Sequence, residues 1–307
     1  MSQFAIASLP HLDNIQRLLR MGRFVYCGVA DEDLPGIIAK GATVLASERD
    51  ANWGVLMVDP EQRPRTLPAA APNRAQLRAL AMRHGPWLAD GMADMVGGLQ
   101  RQIDDSLRPL LVSTYASEEW LYAGLRRAGF DHADTVVYYR LDLGAHDASG
   151  ASAGAVDASG ASAGAAEAPG PAHLRLASIS DTQVLAELDA DIFDALWHFG
   201  VSEILEMQVR GRVVVATIDG VAAGYSALLP GRRREAHLAR LGIHPRFQRT
   251  GVGRQLLDDV IQHARQDGCS AVALNTQASN LPSQTLYTGR GFVPSGIEMP
   301  VLTYCID

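Results

Sequence analysis

The sequence predicts an α/β protein of two halves, each a mixed sheet with helices packed on it, joined by a flexible linker. Three observations carry that expectation. Alternating strand-like runs interleave with helical apolar stripes through residues 173–307. A shorter series of similar patterns runs through residues 1–144. Between them, residues 145–172 are dominated by Ala, Gly and Ser, and DASGASAGA at Asp147–Ala155 recurs at Asp157–Ala165. Such residues bury too little apolar area to offset the entropy of ordering, and about 28 of them reach roughly 30 Å as a flexible chain.

After the linker, His173–Ser178 reads as a strand. Asp181 caps a helix running to Leu196, whose stripe is Val184, Leu185, Leu188, Ile192 and Leu196. Ser202–Val209 is a second, short helix. Arg212–Ile218 is β-branched and ends at Asp219-Gly220, a hairpin signal leading into Val221–Leu229. Glu235–Ile243 is the next strand, and Gly251–Gln266 a helix with Leu256, Leu257, Val260 and Ile261 on its apolar face. Ala271–Asn275 (strand), Leu281–Arg290 (helix) and Ile297–Tyr304 (strand) complete this half.

Composition narrows the function classes. No apolar run approaches the roughly 18 residues of a membrane span, and the N-terminus lacks the basic start and continuous apolar stretch of a signal peptide. A cytoplasmic location is therefore expected. Cys27, Cys269 and Cys305 show no metal-ligand spacing, so no metal is expected. The net charge of −7 argues against a nucleic-acid partner. Lys40 is the sole lysine among many arginines, which suggests a GC-rich and hence bacterial genome.

The chemistry lies at Gln248-Arg-Thr-Gly-Val-Gly253, between a strand and an apolar-faced helix. Gly251 and Gly253 allow a tight turn that exposes successive N–H groups at a helix N-terminus, a nest suited to pyrophosphate. Arg249 and Arg254 add positive charge. A dinucleotide-binding reading lacks its third glycine and distal acid, and a P-loop reading lacks Gly-Lys-Ser/Thr.

The segment from Leu241 to Leu257, followed by Asn275, Asn280 and Leu286-Tyr-Thr-Gly-Arg-Gly-Phe292, resembles the GNAT superfamily of acyl-coenzyme A-dependent N-acetyltransferases. The first stretch is similar to that family's pyrophosphate motif and the second to its N…LYxxxGF motif. The resemblance covers residues 173–307 and implies a catalytic GNAT domain there; the first half, 1–144, is expected to be a second GNAT-like domain from its internal match to that half. The resemblance implies that backbone amides of Arg249, Thr250, Gly251, Val252 and Gly253 hold the pyrophosphate of acetyl-coenzyme A. Leu241 and Ile243 then pair their main chain with the pantetheine, Asn280 contacts the coenzyme arm, and Tyr287 protonates the departing thiolate.

Some family members place a carboxylate base eleven residues before the motif glutamine, where this sequence has His237. Imidazole titrates near neutrality and suits the role. On strand alternation Glu235, His237 and Leu241 share a face, making Glu235 the competing base. Asp191, Trp197, His198 and Glu203 fall in the first helices, which border the acceptor pocket in this fold; an acidic and aromatic lining suits a cationic amine.

The first half carries a worn copy of the pattern. Gln76–Met82 matches His237–Ile243 in apolar alternation, Leu88–Ala93 falls near the place of Gln248–Gly253, and Arg126–Phe130 echoes Thr288–Phe292. Leu110–Tyr115 and Thr135–Leu141 read as flanking strands. Asp90 stands in for Thr250 and opposes a pyrophosphate, and Leu125 replaces Tyr287, with Tyr122 one helical turn earlier. This half is expected not to catalyse.

The function expected is acetyl transfer to a primary amine on a small molecule. The alternatives are a peptide or protein N-terminus as acceptor, or a non-catalytic acyl-coenzyme A sensor. Oligomeric state is not legible.

Overall fold

The computed structural model describes residues 2–49, 51–61, 71–83, 90–144 and 172–307. The linker and its repeat lie outside the described residues apart from Ala172, as do Leu88 and Ala89 of the first half's loop.

The first half runs β1 (Gln3–Ile6), α1 (Leu12–Met21), β2 (Phe24–Cys27), α2 (Leu34–Ala39), β3 (Thr43–Glu48), β4 (Ala51–Pro60), β5 (Asn73–Met82), α3 (Gly91–Gln102), β6 (Leu110–Tyr115), α4 (Glu119–Arg127) and β7 (Asp131–Asp142). The second runs β8 (His173–Leu176), α5 (Thr182–Ile192), α6 (Val201–Arg210), β9 (Arg212–Ile218), β10 (Val221–Pro230), β11 (Glu235–Ile243), α7 (Val252–Gln266), β12 (Ala271–Gln277), α8 (Leu281–Thr288) and β13 (Val293–Ile306). The two series match in order, although the second has no counterpart of β2.

All strands join one mixed sheet, ordered β1-β3-β4-β5-β6-β13-β7-β12-β11-β10-β9-β8, with β2 paired to β5 off this path. The halves exchange their last strands. β13, from the second half, pairs with β6 of the first through Val301↔Tyr115 to Ile306↔Leu110. β7, from the first, pairs with β12 of the second through Ala271↔Asp142 to Gln277↔Val136. The cores follow the exchange: Leu302 and Ile306 pack with Leu77, Leu121 and Phe130, while Tyr139 packs with Leu257, Val272 and Phe292. Backbone ladder bonds and buried side chains thus cross the boundary that composition places at 145–172.

Local expectations hold with instructive exceptions. The helix expected over Asp181–Leu196 ends at Ile192. Its core-facing residues include Leu185, Leu188 and the fully buried Asp189, whereas Val184 is 52% exposed. Asp189 accepts from Phe199 N at 2.5 Å, so residues 193–199 fold back over the helix instead of extending it.

Candidate active site

β11 and β12 run parallel, but their pairing covers only Glu235↔Ala271 to Leu238↔Leu274. Beyond that point β11 continues to Ile243 and β12 to Gln277 without pairing to each other, and a wedge opens between them. Its cause is visible on the other edge of β11, where the β10 register shifts between Ala227↔Arg240 and Leu228↔Leu238. A bulge adds one residue, bends the strand and increases its twist. The wedge leaves main-chain groups of β11 facing open space, as an extended ligand requires.

The bulge corrects the alternation. Leu241 and Ile243 pack on the α7 side, with Val252 and Leu256. A Cβ at Gly242 would meet Phe193 and Ile192 on the opposite side. Leu241 therefore does not share the face of Glu235 and His237, because the extra residue at Ala239-Arg240 resets the period-2 pattern.

The Gln248–Gly253 loop closes one end of the wedge. Arg249 (φ 65°) and Gly251 (φ 92°) are both left-handed, which turns successive N–H groups toward one side. Thr250 Oγ1 donates to the Phe247 carbonyl at 2.6 Å and fixes the turn. Gly251 caps α7 without a side-chain hydrogen bond, leaving the first-turn amides available at the positive end of a 15-residue helix. A Cβ on Gly253 would make only ordinary contacts with Leu286 and Ile243. Packing therefore does not demand glycine there. Among the described residues, Arg249 and Arg254 have no carboxylate partner.

Tyr287, on α8, is 5% exposed, with its ring centroid 6.3 Å from that of Tyr139 and 5.9 Å from that of Phe292. Burial pushes its phenol up to about 12, against a smaller downward pull from a hydrogen bond with Ser283. Asn280 caps α8, its Oδ1 accepting from Ser283 N at 3.2 Å. Both residues line a cavity of about 220 Å³ at the mouth of the wedge.

That cavity lies between the halves. Leu238–Leu241, Asn275–Gln277 and Phe193, Leu196–Phe199 and Glu203 form one wall, and Glu61, Arg74, Gln76 and Leu111, Ser113–Tyr115 of the first half form the other. The 193–199 segment is held over it by Arg240. That guanidinium donates to Asp189 at 2.7 and 2.8 Å and to the Trp197 carbonyl at 2.8 Å, and lies between the Phe193 and Phe199 rings at 3.5 and 4.1 Å. The Tyr225 hydroxyl donates to the same carboxylate.

From the facing wall, Arg74 Nη1 donates to the His198 carbonyl at 2.7 Å and the Ala195 carbonyl at 3.2 Å. Arg74 Nη1 also lies 3.3 Å from His198 Nδ1. His198 Nε2 has no partner. Burial, then the Arg74 charge, lowers the pKa of this imidazole and keeps it neutral.

A model of the Acetyltransferase (GNAT) family matches residues 182–292. Across all 307 residues, the chain's fold matches that of a tandem GNAT protein from the clavulanic acid biosynthesis pathway (TM-score 0.53, 16% identity, 100% of this chain and 99% of that one). Residues 182–292 thus match the GNAT family, and the chain as a whole has the fold of a tandem GNAT protein. A GCN5-related N-acetyltransferase from Sphaerobacter thermophilus has the same fold at TM-score 0.56 and 15% identity, over 99% of this chain and 96% of that one. Among curated relatives, the amino-acid acetyltransferase of Pseudomonas putida (strain GB-1) is 31% identical over 128 residues, 41% of this chain. The chain spans 28% of that relative's length.

Within this tandem GNAT fold the sequence candidates are not all brought together. Tyr287, Asn280 and Leu241 line the cavity, and Gln248–Arg254 lies at the end of the wedge. Glu235 and His237 lie on the paired stretch of β11, short of the opening, and neither lines the cavity. Glu235 accepts from Arg140 Nε at 2.9 Å, and burial lowers the pKa of His237. Asp191 lies 4.0 Å from His244, outside the cavity wall. Trp197, His198 and Glu203 do line it. Sequence reasoning missed Arg240, Asp189, Glu61 and Arg74; the one available signal was a carboxylate at a core-facing helix position.

The GNAT fold of the first half repeats the wedge and then fills it. β5 has its bulge at the matching residue, where Met57↔Ala79 shifts to Val58↔Leu77. Its parallel pairing with β6 also stops after four residues, at Gln76↔Ser113. There β2 enters and pairs with the freed edge, Phe24↔Met82 to Cys27↔Ala79. The chain's own strand occupies the slot that stays open in the second half. Leu125 is fully buried, and Asp90 pairs with Arg127 at 3.0 Å.

Proposed function

We propose that the chain is an acetyl-coenzyme A-dependent N-acetyltransferase acting on a primary amine of a small molecule. One observation carries this reading: an amide nest stands at one end of an unpaired strand edge, and a cavity lined by a buried, protonated phenol opens along it. The nest takes the pyrophosphate, and the main chain at Leu241 and Ile243 takes the pantetheine as an added strand. The neutral amine attacks the thioester carbonyl, and Tyr287 supplies the proton to the leaving sulfur. His198 receives the proton the amine loses, since it lines the cavity, is held neutral and has a free Nε2.

A small acceptor is favoured over a peptide N-terminus because the first half walls the cavity where a peptide needs an open groove. The filled wedge at β2 supports a single donor site and a bracing role for the first half.

Thiol release from acetyl-coenzyme A should depend on an added primary amine; binding of the thioester with no release for any amine would favour a sensor instead. The pH profile tests His198. Its neutral form is the competent one and burial lowers its pKa, so wild-type kcat/KM should persist below the ordinary histidine value of about 6.5. His198→Gln should lose about 10²-fold, together with that acid limb. An unchanged profile would place the base elsewhere.

A further inference from the structure

Four charged side chains line the cavity, Glu61, Arg74, Glu203 and Arg240, with the buried Asp189 behind Arg240, and the pairing of these five leaves one over. Arg74 Nη2 meets Glu61 Oε2 at 2.9 Å. Arg240, at the opposite wall, meets Asp189 at 2.7 Å. Each arginine thus has its own carboxylate. Glu203, at the start of α6, accepts from Gly200 N at 2.9 Å and has no cationic partner among the described residues. Two arginines against three carboxylates give a net charge of −1.

Glu203 acts on the cavity and not only on its own helix. Glu61, across the space, has its carboxyl pKa raised first by burial, with the Arg74 charge pulling it down and Glu203 adding to the rise. A second and independent feature also calls for a ligand. His198, 1% exposed in the same wall, has an Nε2 with no partner, and a buried polar atom left unpaired costs free energy until something pairs with it. The unpartnered Nε2 of His198 points to a ligand in this space, and the unmatched negative charge on Glu203 asks that the ligand be positively charged.

We propose that the acceptor is a small dication: a primary amine that is acetylated, carrying a second ammonium or guanidinium group held by Glu203 across from the Glu61 wall of the first half. This rests on the acetyltransferase reading and adds the acceptor's class. The amine that reacts must shed a proton before it attacks, so it cannot also be the group that neutralises Glu203. A single-charged amine leaves Glu203 unmatched during the reaction. An acceptor with a carboxylate sets like charges together in a space of about 220 Å³. The first half then helps choose the substrate, because Arg74 neutralises Glu61 and positions His198 from that side.

Three acceptors of matched length test this with the full-length protein and acetyl-coenzyme A: 1,4-diaminobutane, butylamine and 4-aminobutanoate. The diamine should exceed butylamine in kcat/KM by about tenfold or more, with 4-aminobutanoate lowest. Glu203→Gln, which keeps an acceptor for Gly200 N, should bring the diamine-to-butylamine ratio close to one, while Glu203→Asp should retain a preference. Equal rates for the diamine and butylamine in the wild-type protein, or a preference for 4-aminobutanoate, would overturn the proposal while leaving acetyl transfer intact. A Glu203→Gln protein that keeps the full diamine preference would overturn it as well. Thiol release with none of the three would overturn the acetyltransferase reading, and this one with it.

Discussion

Tyr287→Phe should retain acetyl-coenzyme A binding while lowering kcat and kcat/KM together by about 10³-fold, within the range for loss of a positioned general acid. Its ring is packed against Tyr139 and Phe292, and phenylalanine preserves that packing, so only the hydroxyl is tested. The phenol, pushed up to about 12 by burial, remains protonated throughout the neutral range. A free thiol near 8.5 is the stronger acid in water, but the thiolate forms in the same poorly hydrated cavity, where burial raises its pKa too. Stopped-flow measurement of thiol release with acetyl-coenzyme A at saturation reads the effect on the chemical step. A variant with wild-type kcat would remove Tyr287 from the chemistry.

Asp189→Ala should cost about 3–5 kcal/mol, because it strands the buried Arg240 guanidinium and the Tyr225 hydroxyl. Asp189 is fully buried and also accepts from Phe199 N at 2.5 Å, so its loss releases the segment that covers the cavity. Denaturant unfolding should show a lower midpoint, and acetyl transfer should fall beyond what instability explains. Replacing both partners by apolar residues, Asp189→Leu with Arg240→Met, should recover much of the stability but not the activity. An Asp189→Ala protein as stable as the wild type would show that the network is dispensable.

What the sequence made legible is what depends on neighbours along the chain. The Gln248–Gly253 turn, the α7 stripe and the Leu281–Thr288 helix are local, and each follows from residue type and spacing. The match of Gln76–Met82 to His237–Ile243 also holds, since the bulge falls at Arg78 in β5 and Ala239 in β11. That same bulge was invisible to alternation, and it moved Leu241 off the face of His237. Placement against the wedge was equally hidden. Nothing in Glu235–Ile243 tells that pairing with β12 ends at Leu238, which leaves Glu235 and His237 short of the opening.

The strand exchange depends on partners more than a hundred residues apart, and patterns within one half cannot reveal it. Thr135–Leu141 is readable as a strand, but not as the neighbour of Ala271–Gln277. Glu61 and Arg74 belong to the cavity only because of that exchange. The short run Phe24–Cys27 likewise carries no mark of the slot it fills.

The two halves therefore divide the work: one keeps its wedge open for the acyl donor, and the other closes its own and supplies a wall. Calorimetric titration of the full chain with coenzyme A tests this most directly. The account predicts one equivalent bound per chain, with affinity sharply reduced by Gly251→Val, whose branched side chain opposes the left-handed turn of the nest. Two equivalents, or one that survives that substitution, would contradict it.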